Sequence, residues 1–275
     1  MRGVSPPLAA SLRTGPCGAL SPFALLASED DPHLELCCGV IDDRHLDWDG
    51  CFNVRDLGRL PAAGGRRTRW GAVVRADAVD RLTESGWDAL RAHGVRTIID
   101  LRNDDELRPD VARRPADVAT LHLALDGIED REFWEHWKEQ APPLYYGPFL
   151  GRFSGRVVDV IASVANARPG GVLIHCVGGR DRTGLVAMLL LAVAGVSAEA
   201  IADDHALSAE RLVAMYAQSG EADQGAMIDQ VLEREGTTAR ELILTTLASL
   251  DVEDYLRAAG LAGDDLATLR DRLLA

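Results

Sequence analysis

The feature that most constrains the fold is a strand, a glycine-rich turn and a helix in direct succession. Residues Val172 to His175 form a short apolar stretch typical of a buried strand. The apolar run from Leu185 to Val196 is typical of a buried helix, and it is too short to cross a bilayer. Between them lies the decad His-Cys-Val-Gly-Gly-Arg-Asp-Arg-Thr-Gly, residues 175–184. A buried strand that turns directly into a buried helix is typical of α/β domains.

Further elements of the same kind surround this unit. A helix is predicted over Thr83–Ala92, because Thr83 is a good N-cap and Gly94 follows its end. Strands are predicted over Val95–Leu101 and Val118–Leu125, and a second helix over Val157–Ala167. Nearly everything from Ser197 onward has a helical pattern. The predicted fold class is therefore α/β, with a central, mostly parallel sheet flanked by helices and a helical C-terminal part.

Three other segments have weaker patterns. Thr68–Arg75 resembles two short strands at a turn, and Arg131–Glu139 is predicted to be helical. Ala141–Gly151 is interrupted by Pro and Gly and is predicted to be a loop. Half of the aromatic residues fall in this region, and they fit either core packing or a wall beside a binding site. These residues are Phe133, Trp134, Trp137, Tyr145, Tyr146, Phe149 and Phe153.

The first 43 residues differ in character from the remainder. They contain Pro, Gly and Ser throughout and have no periodic pattern, so residues 1–43 are predicted to be a poorly ordered leader. Their apolar stretches are too broken for a secretory signal. Residues 44–275 are predicted to form a single domain.

Charge and cysteine usage exclude several classes of protein. The chain has 29 basic and 43 acidic residues and a net charge of −14, which argues against a nucleic-acid binder. Five cysteines without a repeated spacing favour a reducing, cytoplasmic location over a disulfide framework. A zinc site made of Cys37, Cys38, His45 and Cys51 fits no usual ligand spacing. We therefore predict no metal and no cofactor.

The turn of the decad has the chemistry of an anion site. Cys176 ends a strand and faces the N-terminus of a helix, where amide groups and the helix dipole favour the nucleophilic thiolate. Gly178 and Gly179 let the backbone curl around phosphate oxygens. Arg182 can bind two oxygens with its planar guanidinium, and the Thr183 hydroxyl can bond the sulfur or cap the helix. The predicted phosphate-binding residues are Val177, Gly178, Gly179, Arg180, Asp181 and Arg182.

The decad resembles the signature loop of the cysteine-dependent protein tyrosine phosphatases, in which an arginine follows a cysteine after five residues. More narrowly, it is similar to the bacterial branch that acts on tyrosine, serine and lipid phosphates. Phe52-Asn-Val-Arg-Asp-Leu-Gly58 resembles that branch's N-terminal element. Further matches follow in order at Arg75-Ala-Asp77, Leu82-Thr83, Ile99-Asp-Leu-Arg-Asn103 and Tyr255-Leu256. Two residues depart from the pattern: Arg180 replaces the usual Lys, and Arg59 replaces a second Gly.

The resemblance implies a phosphomonoester hydrolase that forms a cysteinyl-phosphate intermediate. Phosphotyrosine is the expected substrate, with phosphoserine, phosphothreonine and phosphoinositides as further candidates. Cys176 is the implied nucleophile and Arg182 the residue that stabilises the transferred group. Asp181 is the implied general acid, and Asp126 is the alternative, because larger eukaryotic relatives supply the acid from an upstream loop. The implied supporting residues are His175, Thr183, Asp100 and Arg102.

The sequence leaves open other functions for the chain and other roles for single residues. Sulfurtransferases and arsenate reductases also place a cysteine on an anion-binding loop, but without this spacing. An inactive phosphate-binding module is a third interpretation. Asp181 could instead be structural and pair with Arg55 or Arg102. The run Asp203-Asp204-His205 resembles a metal cluster, but adjacent helical residues point in different directions, so solvated surface or support of the loop fits better.

Overall fold

The structure is a computed structural model that describes residues 44–137, 140–220 and 222–275. The predicted leader, residues 1–43, lies outside the described residues, and so do Cys37 and Cys38.

A five-stranded sheet forms the centre of the domain. The strands are β1 (Arg55–Asp56), β2 (Val73–Ala76), β3 (Val95–Asp100), β4 (Ala119–His122) and β5 (Gly171–His175). They lie in the order β1-β2-β5-β3-β4, and only β1 runs antiparallel to its neighbour. The predicted α/β fold with a mostly parallel sheet is confirmed. Ala76, His175 and Asp100 pair in register, so these three strands end at the same edge of the sheet.

Ten α-helices are present in the described part of the chain. They are α1 (Glu84–Ala92), α2 (Arg131–Trp137), α3 (Tyr146–Arg152), α4 (Ser154–Ala165), α5 (Asp181–Val193), α6 (Ala198–Ser219), α7 (Gln224–Arg234), α8 (Ala239–Ala248), α9 (Val252–Ala258) and α10 (Gly263–Leu273). The predicted helical C-terminal part is therefore confirmed. Within the described ranges, no helix is both long and apolar enough to span a membrane.

The core lies on both faces of the sheet. Successive residues of a strand point to opposite faces. In β5, Val172 and Ile174 therefore join one apolar cluster with α4 and α5, whereas Leu173 joins a second with Trp87 and Leu90 of α1. Burial on both faces explains why β3 and β5 read as nearly continuous apolar runs. It also fixes β5 and α5 rigidly on either side of the turn at residues 176–180.

Local signals predicted several elements correctly. Thr83 caps α1, since its side chain accepts a hydrogen bond from the backbone N–H of Gly86. The interpretation of Ala141–Gly151 as a loop was wrong, because α3 begins at Tyr146. Pro148 is the third residue of that helix, where a missing N–H costs no intrahelical bond. Burial of Phe149 and Leu150 then outweighs the weak helix propensity of the segment. Of Thr68–Arg75, only the part from Val73 lies in the sheet, and Thr68 forms an isolated bridge with Leu274.

Candidate active site

The candidate nucleophile lies at the edge where the central strands end. Cys176 follows β5 directly and is only 3% exposed. The turn after it reaches α5 at Asp181, so a largely buried helix begins five residues after the thiol. Gly179 has φ +68°, and a Cβ there would lie 2.3 Å from the carbonyl oxygen of Ala76. Only glycine fits this close approach of the turn to β2.

Every carbonyl oxygen from Cys176 to Arg180 accepts a hydrogen bond from the surrounding protein. The donors are His175 Nδ1 (3.1 Å) for Cys176, the Ala78 N–H (2.9 Å) for Val177, Asn53 Nδ2 (2.9 Å) for Gly178, Arg75 Nη2 (2.8 Å) for Gly179, and the Gly184 N–H (2.9 Å) for Arg180. In a trans peptide the following N–H points the opposite way. The backbone N–H groups of residues 177–182 donate to no acceptor among the described residues. We call these six groups the amide cradle; backbone N–H groups without an acceptor at a helix N-terminus are suited to an oxyanion.

Arg182 lies at the start of α5 and is held by two carboxylates. Its two terminal nitrogens bond both oxygens of Glu106, and Nη1 lies 3.2 Å from Oδ2 of Asp126. Burial on its own lowers the pKa of Arg182, but the Glu106 hydrogen bonds and the nearby Cys176 and Asp126 raise it above the ordinary value. The guanidinium is therefore a fixed positive charge beside the thiol.

Sequence reasoning missed Glu106. Its carboxylate accepts from the backbone N–H of Asn103 as well as from Arg182, and Asn103 occupies the N-cap position of the single helical turn that carries it. Asn followed three residues later by Glu is a capping-box spacing, so this local signal was present in the sequence. The contact with Arg182 was not predictable, because the two residues lie 76 positions apart.

The two candidate acids have different surroundings. Asp181, the first residue of α5, accepts hydrogen bonds from the guanidinium of Arg180, and its side chain is 30% exposed. It pairs with neither Arg55 nor Arg102, so the predicted partners of a structural Asp181 were wrong. Asp126 is less exposed and accepts from Asn103 Nδ2 at 3.0 Å. Burial raises the pKa of Asp126 above its ordinary value, although Arg182 and Asn103 oppose the shift.

Three of the predicted supporting residues, His175, Asp100 and Arg102, lie at or just after the ends of β5 and β3. His175 is fully buried, and its Nε2 faces the carboxylate of Asp100 at 3.6 Å. Burial lowers the pKa of His175 to about 4, so the ring is neutral at pH 7. Asp100 is itself bound by both Nε and Nη2 of Arg102, which also pairs with Asp80. Asp100 and Arg102 thus form a rigid pair at the end of β3.

Neither of the two roles predicted for the Thr183 hydroxyl is observed. It is the third residue of α5, and the N-cap is Arg180, because the chain becomes helical just after Gly179. The prediction that Thr183 could cap the helix was therefore wrong. Its buried hydroxyl has no hydrogen-bond partner among the described residues, so the expected bond to the sulfur is not formed here.

The run Asp203-Asp204-His205 divides between surface and interior. Asp203 is exposed and pairs with Arg240, whereas Asp204 is 1% exposed and pairs with three arginines. Burial, together with Arg75 and Arg55, lowers the pKa of His205 to about 3. No group of three or more histidine, cysteine or carboxylate side chains in the described ranges is arranged to hold a metal. Cys51 instead donates to the carbonyl oxygen of Ala78, and His45 pairs with Asp47.

The aromatic segment packs against the core and against the site. Phe133, Phe149 and Phe153 contact one another and are buried. Tyr146 donates its hydroxyl to the carbonyl oxygen of Asp181 at 2.9 Å, and Trp134 Nε1 donates to that of Asp126 at 3.0 Å. The aromatic packing therefore supports the backbone of both candidate acids.

Comparison with known proteins identifies the family. The model of a tyrosine phosphatase family matches residues 46–275. The chain belongs to this tyrosine phosphatase family. A tyrosine-protein phosphatase of Nostoc commune is 32% identical over 230 residues, which cover 78% of each chain. A triple specificity protein phosphatase of Mycobacterium tuberculosis is 28% identical over 233 residues, which cover 73% of this chain and 80% of the relative. This tyrosine phosphatase is thus a hydrolase, and the resemblance drawn from the decad is confirmed.

Proposed function

We propose that this phosphatase hydrolyses phosphotyrosine through a phosphoryl group bound covalently to Cys176. The observation that carries the proposal is the amide cradle at residues 177–182, with a buried cysteine before it and the fixed charge of Arg182 within it. Six N–H donors and a guanidinium suit the equatorial oxygens of a phosphoryl group in transfer.

The chemistry would proceed in two steps that share this site. The Sγ thiolate of Cys176 attacks phosphorus in line, and the bond from phosphorus to the leaving oxygen breaks. The electron pair stays on that oxygen, which takes a proton from a carboxylic acid. Water then attacks phosphorus and gives a proton to the carboxylate left by the first step, the S–P bond breaks, and inorganic phosphate leaves as the thiolate and the carboxylic acid are restored. Arg182 and the amide cradle bind the same oxygens in both steps.

Two carboxylic acids can supply the proton. Asp181 lies within the loop itself, at the start of α5, which supports the assignment that the resemblance implies. Asp126 is favoured by a different observation: its pKa is raised by burial, which is the property required of an acid at neutral pH. We propose Asp181 as the donor and retain Asp126 as its competitor, and the dependence of rate on the leaving group separates them.

The substrate range is proposed to extend beyond phosphotyrosine. One relative is named a triple specificity protein phosphatase, which supports activity of this chain on more than one phosphorylated side chain. Phosphoinositides remain a further proposed substrate class, carried by the resemblance of the decad to the lipid phosphatase branch. A reducing, cytoplasmic compartment is also proposed, because the nucleophilic cysteine must remain a thiol.

The test is phosphate release from p-nitrophenyl phosphate, from tyrosine, serine and threonine phosphopeptides and from phosphoinositides. Wild type should act on the aryl phosphate and on phosphotyrosine, and Cys176→Ser should act on none of them. Activity on serine peptides alone would contradict the proposed preference. Loss of activity with a chelator, restored by a divalent ion, would indicate a metal-dependent hydrolase instead.

A further inference from the structure

A buried carboxylate on α6 gathers three arginines from distant parts of the chain. Asp204 lies 2.8 Å from Arg44 Nη1, 3.1 Å from Arg55 Nε and 2.7 Å from Arg75 Nη1. All four side chains are at most 8% exposed. We call these four residues the arginine cluster. Burial alone raises the pKa of Asp204, but the three guanidinium groups lower it far below its ordinary range, so the carboxylate stays ionised.

Two hydrogen-bonded arms lead from the arginine cluster to the turn at residues 176–180, called the loop below. In the first, Arg75 uses Nη1 for Asp204 and Nη2 for the carbonyl oxygen of Gly179, at 2.8 Å. The second runs through Arg55 and Asn53. Arg55 Nη1 donates to Asn53 Oδ1 at 2.7 Å, and Asn53 Nδ2 donates to the carbonyl oxygen of Gly178 at 2.9 Å. Asp204 is thus one hydrogen-bonded residue from the loop along one arm and two along the other.

These two arms fix the direction of the amide groups. Each planar trans peptide points its C=O and the following N–H in opposite directions. Holding the carbonyls of Gly178 and Gly179 toward the arms therefore turns the N–H groups of Gly179 and Arg180 the other way. Both belong to the amide cradle and have no acceptor in the described part of the chain. Two glycines in succession would otherwise leave this backbone the freest in the loop.

The start of α5 packs closely against α6 and Arg75. A Cβ at Gly184 would lie 2.8 Å from Cδ2 of His205 and 3.4 Å from Nη2 of Arg75. The last glycine of the decad therefore leaves the space that α6 and Arg75 occupy. The tightest contacts are with His205, the residue after Asp204, so this glycine lets α6 pack directly against the start of α5.

We propose that Asp204 is a positioning residue for phosphate binding, which holds Arg55 and Arg75 so that the amide cradle is formed before an anion arrives. The inference rests on the proposed function, in which this cradle binds the phosphoryl group. Without the carboxylate, three guanidinium groups in one buried site repel one another. Arg75 then loses its charged partner and keeps only the hydroxyl of Ser208, at 3.3 Å, as an anchor on α6, so the Gly179 carbonyl is held less firmly. Preorganised donors bind a developing charge more tightly than donors that must first reorient.

The test compares neighbouring aspartates on the same helix. Asp204→Asn and Asp203→Asn make the same chemical change, but Asp203 is exposed and pairs with Arg240, far along the chain from the loop. Each is made in the Cys176→Ser background, and the dissociation constant for tungstate, a phosphate analogue, is measured by calorimetry at a temperature where the variant is folded. We expect Asp204→Asn to weaken tungstate binding by about tenfold or more, since loss of geometry is costly at such sites. Asp203→Asn should change it by less than about twofold.

A second pair of variants decides the matter if Asp204→Asn does not fold. Arg75→Lys and Arg44→Lys both keep the charge beside Asp204, but only Arg75 also contacts the loop. A lysine lacks the fork that joins a carboxylate and a carbonyl oxygen at once. Arg75→Lys should therefore weaken tungstate binding about tenfold or more, and Arg44→Lys should leave it near that of the parent.

Turnover by the wild-type enzyme distinguishes failure of the proposed function from failure of the positioning role of Asp204. Absence of phosphate release from any phosphomonoester by wild type would refute the proposed function. Turnover by wild type, combined with unchanged tungstate affinity in a folded Asp204→Asn or in Arg75→Lys, would overturn this inference and leave the proposed function standing. Tight binding in both control variants and weak binding in both test variants would support it.

Discussion

The guanidinium of Arg182 and the carboxylate of Glu106 form a bidentate ion pair, with Nη2 2.7 Å from Oε1. The pair uses one N–H from each terminal nitrogen of the arginine. A guanidinium carries five N–H donors, so others remain for a phosphoryl oxygen. Glu106 thus orients the arginine without consuming its capacity to bind an anion.

Replacing Glu106 should weaken catalysis through the arginine. In Glu106→Gln the second oxygen becomes an amide donor that cannot accept from Arg182, so the arginine loses its fixed orientation. We expect kcat/KM for an aryl phosphate to fall by about tenfold. Glu129→Gln is the matched control, because Glu129 pairs with Arg156 in an exposed position. An equal effect of both substitutions would contradict the positioning role of Glu106.

Replacing Arg182 by lysine should lower kcat/KM more than Glu106→Gln does. Lys keeps the positive charge but loses the planar fork, so Arg182→Lys should remove about 2–4 kcal/mol of transition-state stabilisation. The measurement is kcat/KM on p-nitrophenyl phosphate under conditions where both proteins are folded. A loss of tenfold or less would show that the arginine does not bind the transferred group in the way proposed.

The general acid should be revealed by leaving-group dependence. Asp181→Asn should slow phosphotyrosine and phosphoserine peptides strongly but an activated aryl phosphate much less, because a good leaving group needs little protonation. The acid works only while protonated, so activity falls as pH rises, and this basic limb should flatten in Asp181→Asn. The same signatures in Asp126→Asn, and not in Asp181→Asn, would move the role to Asp126.

Acid should destabilise the fold through two buried histidines. Burial lowers the pKa of His175 to about 4, and that of His205 to about 3, below the value of about 6.5 in an unfolded chain. Between pH 6.5 and 4 the unfolded state therefore binds protons that the folded state does not, so stability falls as pH falls. From pH 7 to pH 5 each histidine should contribute a loss of about 2 kcal/mol.

Urea denaturation at the two pH values checks this expectation. In His205→Gln the difference between pH 7 and pH 5 should shrink by about 2 kcal/mol, whatever the substitution costs at pH 7. His136→Gln, on the exposed surface of α2, is the control and should leave the difference unchanged. An undiminished difference in His205→Gln would show that this ring already takes up a proton in the folded protein.

The parts of the site that the sequence predicted depend on neighbouring residues. The cap at Thr83, the strand of β5 and the decad each follow from local chemistry within about ten positions. Gly179 was predicted to let the backbone curl, and its positive φ agrees. The resemblance of the decad and of residues 52–58 then sufficed to name the family.

The parts that the sequence missed depend on distant contacts. Glu106 meets Arg182 across 76 positions, and Asp204 meets Arg75 across 129 positions. No periodicity records such pairs, and the sequence left open whether the run Asp203-Asp204-His205 is solvated surface or supports the loop. The helix α3 was missed because tertiary burial of Tyr146 and Phe149 outweighs the local effect of Gly147 and Pro148.

The central claim is that Cys176 carries the phosphoryl group during turnover. The most direct measurement is a rapid acid quench of the enzyme with a ³²P-labelled phosphotyrosine peptide, followed by mapping of the labelled residue. The account predicts that wild type is labelled at Cys176 and that Cys176→Ser neither forms this labelled species nor releases phosphate, although it still binds tungstate. Phosphate release by Cys176→Ser at a rate near that of wild type, or label on another residue, would contradict it.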